Sequence, residues 1–282
     1  MSNQQGRNTS VTVIEPPGKW HFFDFSEFRT HHELLYFLTW RDIKVRYKQA
    51  LLGIGWAVIQ PIMLMIVFTF IFGKMAQVNS EGVPYPIFAF VAILPWNLFS
   101  TSLNKAGQSL VSNAGLLQKV YVPRLIIPVA SVLPNLVDFF IGSVILGGMM
   151  IYYHSSVHLS WTILLLPIFT LLALLSALAA GLWLAALNVK YRDIKQVSPF
   201  LVRLWMWVSP VAYSATEVPT GIWKVIYGLN PMAGVIQGFR WAIVGGERPD
   251  VLIFLSIGIV LILLITGLIY FRKTEAYFAD IV

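Results

Sequence analysis

The chain contains no cysteine and few charged residues. The absence of cysteine among 282 residues excludes disulfides, iron–sulfur clusters and thiol chemistry. Charged residues make up 12% of the chain, about half the share in an ordinary soluble domain, while 57% of the residues are hydrophobic. This balance excludes a soluble globular protein, a disordered protein and a free nucleic-acid-binding protein. It predicts an all-α integral membrane protein with little mass outside the bilayer.

Sequence motifs for nucleotide binding and hydrolysis are also missing. The phosphate loop Gly-x-x-x-x-Gly-Lys-Ser/Thr does not occur, because Gly18-Lys19 is followed by Trp20 and Gly73-Lys74 by Met75. The Gly-x-Ser-x-Gly elbow is absent too, and no cluster of histidines or carboxylates suits a membrane-bound transferase. His154 and His158 have metal-ligand spacing, but without a third ligand we predict no metal site. We expect no cofactor on this chain, so any ATP hydrolysis requires another protein chain.

Six hydrophobic stretches are near the length that a helix needs to cross about 30 Å of hydrocarbon. The predicted spans are at 54–73, 87–103, 125–152, 161–187, 197–216 and 251–271. If the N-terminus is inside, sixteen of the 20 Lys and Arg residues lie in inside segments, and the positive-inside rule then predicts two cytosolic termini. The first fifty residues hold no apolar stretch of signal-peptide length, which agrees with a cytosolic N-terminus.

The segments outside the spans have characters of their own. Residues 1–30 form a polar, turn-rich N-terminal segment, and residues 49–282 form the six-helix transmembrane domain. In 31–48, the residues Leu34, Phe37, Leu38 and Val45 recur at helical spacing opposite basic residues. This pattern predicts an amphipathic helix lying in the membrane interface, and the alternative is a plain helical lead-in to the first span.

The external segment between spans five and six contains two short apolar runs, separated by Asn230-Pro231. Each run is too short to cross a membrane, and such runs are more often re-entrant or interfacial. We predict two re-entrant helices within 218–245, with an ordinary amphipathic external loop as the alternative.

Asp138 is the one acidic residue deep in a predicted span, and Asn135 lies three residues before it on the same face. Ionisable groups in a membrane are costly and usually face a cavity or a partner. By the order of the spans, Arg203 is the nearest candidate cation, although the two depths do not match. Two interpretations stay open: the proton or cation site of an ion-coupled carrier or channel, or a hydrogen-bonded carboxyl that fixes helix packing.

Aromatic residues in the spans are candidates for a substrate path. Tryptophan prefers the membrane interface, but Trp207 falls near the middle of predicted span five. Aromatic faces can stack on sugar rings, whereas packing between helices is the alternative role. The candidate path residues are Trp56, Trp96, Trp205, Trp207 and Tyr213.

Short motifs spread over nearly the whole chain carry a family resemblance. They are Arg41-Asp42-Ile43-Lys44-Val45-Arg46-Tyr47-Lys48, Leu52-Gly53 with Trp56 and Pro61, Leu94-Pro95-Trp96, Lys119-Val120-Tyr121-Val122-Pro123-Arg124, Asn188-Val189-Lys190-Tyr191-Arg192-Asp193, Ser209-Pro210-Val211-Ala212-Tyr213 and Asn230-Pro231-Met232. Together they resemble the membrane subunit of ABC-2-type exporters of polysaccharide or polyol phosphate, which are the O-antigen, capsule and teichoic-acid permeases. Only residues 1–30 lie outside the resemblance.

The resemblance implies a function that the spacing of residues does not show. It implies the permease subunit of an ATP-driven exporter in the bacterial inner membrane, moving an undecaprenyl-linked glycan. O antigen is favoured, and capsule or teichoic acid remain alternatives. Two copies would form the channel above two copies of a separate ATPase subunit, which binds ATP and Mg²⁺. The ATPase would contact a coupling segment that contains Asn113, Leu117, Lys119, Tyr121, Pro123 and Arg124.

Overall fold

A computed structural model describes residues 29–48, 55–120, 122–154, 160–191, 193–245, 248–249 and 251–281. All regular secondary structure in these ranges is helical, and they contain no strand. The helices are α1 (His32–Lys48), α2 (Gly55–Phe68), α3 (Tyr85–Ser112), α4 (Ala114–Leu117), α5 (Ile126–Val132), α6 (Asn135–Tyr152), α7 (Leu166–Lys190), α8 (Ile194–Val208), α9 (Ile222–Gly228), α10 (Pro231–Val244) and α11 (Leu252–Ile281). A π-helical turn, Thr69–Met75, extends α2, and a 3₁₀ turn, Trp161–Leu165, leads into α7.

Five helical stretches in the described ranges are long and apolar enough to cross a membrane, and they match five of the six predicted spans. They are Gly55–Met75, Tyr85–Ser112, Ile126–Tyr152, Trp161–Lys190 and Ile253–Glu275.

Within the predicted fifth span at 197–216, the α-helix that begins at Ile194 ends at Val208. The helix ends there because Ser209 precedes a proline and takes an extended conformation. Fifteen residues rise about 22 Å, which is less than the hydrocarbon thickness of about 30 Å. An all-α membrane protein is confirmed, and the count of six crossings stays a prediction.

Helix α3 lies at the centre of the bundle and packs most extensively on α7, with further contacts to α5, α6 and α10. The two central helices approach closely because Gly181 has no side chain: a methyl group there would lie 2.6 Å from the Cβ of Ala106. The Asn188 side-chain amide donates to the carbonyl oxygen of Gly107 at 2.6 Å and locks the crossing. Helix α2 differs, because it buries only Pro61 and Phe68.

Helix α1 confirms the predicted helix in 31–48, but its apolar residues are divided between two faces. Leu38 is buried and Leu34 is partly buried, both against a core cluster that includes α5. Phe37 and Val45, which the spacing placed on the same face, are exposed. The outward face of α1 therefore carries apolar residues beside basic ones, which is typical of a membrane interface. Its position in a membrane stays a prediction.

Two short helices, α9 and α10, lie between α8 and α11, as the sequence predicts. Asn230 begins α10 by accepting a hydrogen bond from the backbone N–H of Met232 at 3.0 Å, and Pro231 occupies the first helical position. Gly245 ends α10 with φ of 71°, a left-handed conformation that favours glycine. Helix α10 is buried against α3, α7 and α11. How deeply the two helices lie in a membrane stays a prediction.

Candidate functional site

A polar cluster joins α1 to the first turn of α6. Arg46 donates through Nη1 to Asp138 Oδ2 and through Nη2 to Asn135 Oδ1, the latter at 2.8 Å. Tyr47 donates through its hydroxyl to Asp138 Oδ1 at 2.5 Å. Burial, assisted by the neighbouring Asp138 carboxylate, raises the pKa of Tyr47 above its ordinary value. Tyr47 therefore keeps its proton at physiological pH and remains a donor to the carboxylate.

Arg203, the nearest candidate cation by the order of the spans, is not the partner of Asp138. Arg203 is exposed on α8 and forms no ion pair with Asp138, whose cation is Arg46. The backbone stays in the right-handed helical conformation through Leu133 and Pro134, so α5 and α6 follow one another within a single span, Ile126–Tyr152. Asp138 lies in the first turn of α6, within reach of Arg46 from α1. A carboxylate in this setting is tolerated because a cation and a hydroxyl satisfy it.

Asn135 is almost fully buried and connects three helices. Its side-chain nitrogen lies 3.1 Å from the Ser102 hydroxyl of α3 and 3.2 Å from the carbonyl oxygen of Val132 in α5. Its side-chain oxygen accepts from Arg46 of α1. Asn135 and Asp138 lie together, as their spacing predicts, but Asp138 is only partly buried.

A second contact joins α1 to the coupling segment, which we define as residues 113–124. Arg41 donates through Nη2 to Asp42 Oδ1 and to Asn113 Oδ1, each at 2.8 Å. Asn113 in turn donates to the carbonyl oxygen of Ser109 at the end of α3, at 2.9 Å. These hydrogen bonds join the start of the coupling segment to both α1 and α3.

The rest of the coupling segment offers both packed and exposed residues. Leu117 is partly buried against the α5 cluster and Pro123 is buried, whereas Lys119 and Val120 are exposed. Tyr121 lies outside the described residues. Arg124 donates to the backbone carbonyl oxygen of Glu275 in α11, which fastens the far end of the segment.

The five predicted path aromatics differ in their surroundings. Trp96 is buried with its ring centroid 5.4 Å from that of Phe99, and Phe99 makes an edge contact with Trp205 at 5.1 Å. The Tyr213 hydroxyl donates to the carbonyl oxygen of Val208. These three aromatics contact other parts of the same chain.

Only Trp56 and Trp207 expose about half of their surface, 55% and 52% respectively. Trp207 contacts Phe68 and Phe72, at centroid distances of 5.9 and 6.1 Å. It lies one residue before the end of α8, not in the middle of a helix, because the chain leaves the helix at Ser209.

A groove of about 450 Å³ opens between α2, α3 and α6. Of its polar lining residues, only Asn135 and Asp138 were predicted from the sequence. Its polar residues include Gln60, Asn97 and Thr101 together with Asp138, and apolar residues such as Met63 complete the wall. Gln60 and Asn97 were identifiable from the sequence, because an amide side chain within an apolar span is costly unless it faces a cavity or a hydrogen-bonding partner.

At the opposite end of the bundle, two of the recognised motifs meet. Asn230 donates to the Ser209 hydroxyl at 2.9 Å and accepts from the indole N–H of Trp205 at 3.0 Å. Nearby, the buried guanidinium of Arg240 lies 3.6 Å from the Phe88 ring centroid and donates to the carbonyl oxygen of Tyr213 at 2.8 Å. The role of Arg240 was not predicted from the sequence. These contacts fix where α8 ends and α10 begins.

Metal-ligating side chains are not grouped in the part of the chain that the structure describes: it holds no cluster of three or more His, Asp or Glu residues. His158 lies outside the described residues.

Comparison with known proteins identifies the family and several relatives of this chain. The family described as ABC-2 type transporter matches residues 33–244. An O-antigen export system permease protein RfbA of Myxococcus xanthus is 28% identical over 225 residues, covering 79% of this chain and 85% of that protein. A protein of the same name from Klebsiella pneumoniae is 27% identical, covering 88% and 95% of the two chains. The polysialic acid transport protein KpsM of Escherichia coli is 23% identical, covering 83% and 91%. The chain belongs to the ABC-2 type transporter family.

Proposed function

We propose that the protein is the membrane permease subunit of an ABC exporter that moves a lipid-linked polysaccharide out of the cytosol. The observation that carries the proposal is its likeness, over most of both chains, to permeases named for O-antigen export and to a polysialic acid transporter. O antigen is the favoured substrate, with capsule polysaccharide or teichoic acid as alternatives. The chain itself carries out no ATP chemistry, in keeping with a sequence that lacks a phosphate loop.

We place the protein in the bacterial inner membrane as a homodimer with both termini cytosolic. The dimer surface includes α2 and the π-helical turn that extends it, which together expose Ile59, Ile66 and Phe70 outside the polar groove. Helix α8 adds the exposed Phe200 and Leu204 to the same proposal. Large exposed apolar faces mark contact with lipid or with another subunit. An undecaprenyl-linked glycan passes between the two copies.

Two ATPase subunits, which bind ATP and Mg²⁺, contact the coupling segment from the cytosolic side. The exposed Lys119 and Val120 offer a surface for that contact. The Arg41–Asn113 hydrogen bond then passes movement to α1, and Arg124 passes it to α11. Helices α9 and α10 form the outer gate.

The substrate path combines the exposed aromatic residues with the polar groove. Trp56 and Trp207 offer open ring faces, on which the C–H faces of sugars can stack. Gln60, Asn97 and Thr101 supply hydrogen-bonding groups between α2 and α3. Amide and aromatic groups suit a neutral polymer, because they bind hydroxyls and ring faces without holding a charge in the membrane.

Reconstitution tests the proposal. Proteoliposomes that contain this chain together with its ATPase partner should hydrolyse ATP and move glycolipid, whereas the chain alone should do neither. Robust ATP turnover by the purified chain alone would contradict the proposal. Transport driven by a pH gradient without ATP would instead support the ion-coupled carrier. Labelling of tags at the two termini from opposite sides of the membrane should place both inside.

A further inference from the structure

A cationic cavity of about 310 Å³ lies between α1, the end of α3 and α5. Three cations line it: Arg41 and Arg46 from α1, and Lys105 from α3. Asp42 is the one carboxylate among the lining residues, and Gln108 and Ser112 add neutral polar groups. Three positive charges and one negative charge lie on its walls, and Asp138 pairs with Arg46 from the neighbouring groove, so one net positive charge remains to attract anions.

Each of the two guanidinium groups is held in position by one neutral amide oxygen and one carboxylate. Asn113 accepts from Arg41 and Asn135 accepts from Arg46, each at 2.8 Å. Asp42 pairs with Arg41 and Asp138 pairs with Arg46, so each carboxylate offsets part of the charge while the amides only orient it. Each guanidinium has five N–H donors, and the hydrogen bonds to protein groups leave part of each group able to donate to a ligand.

Asp138 contacts Arg46 from the side of the polar groove, where it is a lining residue, and it is not among the residues that line the cationic cavity. Arg46 therefore lies between the polar groove and the cationic cavity. Its guanidinium group can contact Asp138 on one side and an anion in the cavity on the other. An anion in the cavity would bind to a group that the protein has already oriented, which lowers the entropic cost of binding.

The size and donors of the cavity identify the class of ligand. Arginine forks together with a lysine and neutral donors are the groups that proteins use for phosphate. A volume of about 310 Å³ suits a headgroup and is too small for a polymer chain. The exposed Tyr36, Phe37 and Trp40 on α1 are side chains of the kind found at membrane surfaces. We infer that this cavity binds a phosphate group carried by a lipid at the membrane surface.

The inference rests on the proposed function for the cytosolic side of the membrane, and two kinds of lipid carry the required chemistry. The phosphate belongs either to the carrier lipid of the transported glycan or to an ordinary anionic phospholipid. Binding by this chain alone distinguishes them and needs neither ATP nor an ATPase partner.

The experiment counts lipids retained by the full-length purified chain in native mass spectrometry. The chain is incubated in turn with a polyprenyl diphosphate, with the corresponding polyprenol and with phosphatidylglycerol. We expect the diphosphate to be retained and the polyprenol to be lost, because recognition lies in the headgroup. Retention of the diphosphate but not of phosphatidylglycerol identifies the carrier lipid, and equal retention of both identifies a general phospholipid site.

Charge-removing variants locate the site. Lys105→Gln and Arg41→Gln should each reduce retention about tenfold, since each removes a charge-assisted hydrogen bond. Lys105 is exposed, so its variant should fold normally. Lys195→Gln removes an exposed lysine from α8, outside the cavity, and serves as the matched control.

Two outcomes would overturn the inference: undiminished retention in both cavity variants, or equal retention of the polyprenol. Either would leave the proposed exporter untouched. Conversely, normal phosphate-dependent retention in a chain that never supports ATP-driven export would overturn the proposed function alone.

Discussion

Arg46 and Asp138 lie 92 positions apart in the chain and form an ion pair between α1 and the first turn of α6. Both side chains are partly exposed, and Tyr47 and Asn135 complete the hydrogen bonds around them. The pair fastens a helix that we place at the membrane surface to a membrane-spanning helix. Helix α1 therefore moves either together with α6 or by breaking this contact.

The ion pair predicts a non-additive mutant cycle. Arg46→Gln or Asp138→Asn alone should destabilise the protein by about 1–3 kcal/mol, because each leaves a partly buried polar group without its partner. The double variant should lose less than the sum of the two, since neither group is then left charged and unpaired. Thermal unfolding in detergent gives the comparison. Strict additivity of the three changes would show that the two residues do not interact energetically.

Tyr47 predicts a stability difference that depends on pH. Tyr47→Phe removes one donor to Asp138 and should cost about 1 kcal/mol at neutral pH. Because the folded state raises the pKa of Tyr47, its contribution is complete below the unfolded pKa of about 10 and is lost as pH rises further. The gap between parent and variant should be constant from pH 6 to about 9 and should shrink above 10. A gap that widens in alkali would contradict the hydrogen bond to the protonated hydroxyl.

The close crossing of α3 and α7 predicts intolerance to side chains at Gly181. Gly181→Ala places a methyl group 2.6 Å from Ala106 Cβ and should destabilise the protein by about 1–3 kcal/mol. Gly148→Ala in α6 is the matched control, because nothing lies within 4 Å of its added methyl group. The control should be neutral or stabilising by up to about 1 kcal/mol. Melting temperatures that fall equally in the two variants would indicate that the crossing is looser than described.

Two tryptophans predict different defects. Trp96→Ala removes a buried ring and should cost about 3–5 kcal/mol, so protein level and export should fall together. Trp207→Ala removes a half-exposed ring and should slow export by more than it lowers protein level. Quantitative immunoblots beside an export assay separate the two effects. A proportional loss of both in Trp207→Ala would assign that residue to packing against Phe68 and Phe72.

The apolar composition predicted an all-α membrane protein, and the positions of five spanning helices were predictable from hydrophobic length alone. Length suffices there because a lipid-exposed backbone must satisfy its own hydrogen bonds, which leaves little choice besides a helix. The fifth span was harder, because residues 209–216 carry no charge but begin with Ser209-Pro210, which ends α8. Apolar character measures where a segment can be buried and does not measure whether its backbone stays helical.

The candidate site could be predicted only in part. Asp138 and Asn135 were identifiable because polar groups within apolar segments stand out. Arg46 could not be singled out, because the basic residues of α1 look equivalent along the sequence and only the folded chain brings one of them to Asp138. The aromatic residues were equally ambiguous, because an indole ring in a span is apolar whether it packs inside, as Trp96 does, or faces outward, as Trp207 does.

By itself, the sequence determined that the protein is membrane-embedded and helical, that it lacks a phosphate loop and that it carries the motifs of the family. Each of these properties depends on composition or on neighbours along the chain. Only the tertiary structure decided which cation binds Asp138, which tryptophans are exposed and that three cations surround one cavity. Those outcomes depend on contacts between residues far apart in the chain, and the packing of the helices sets those contacts.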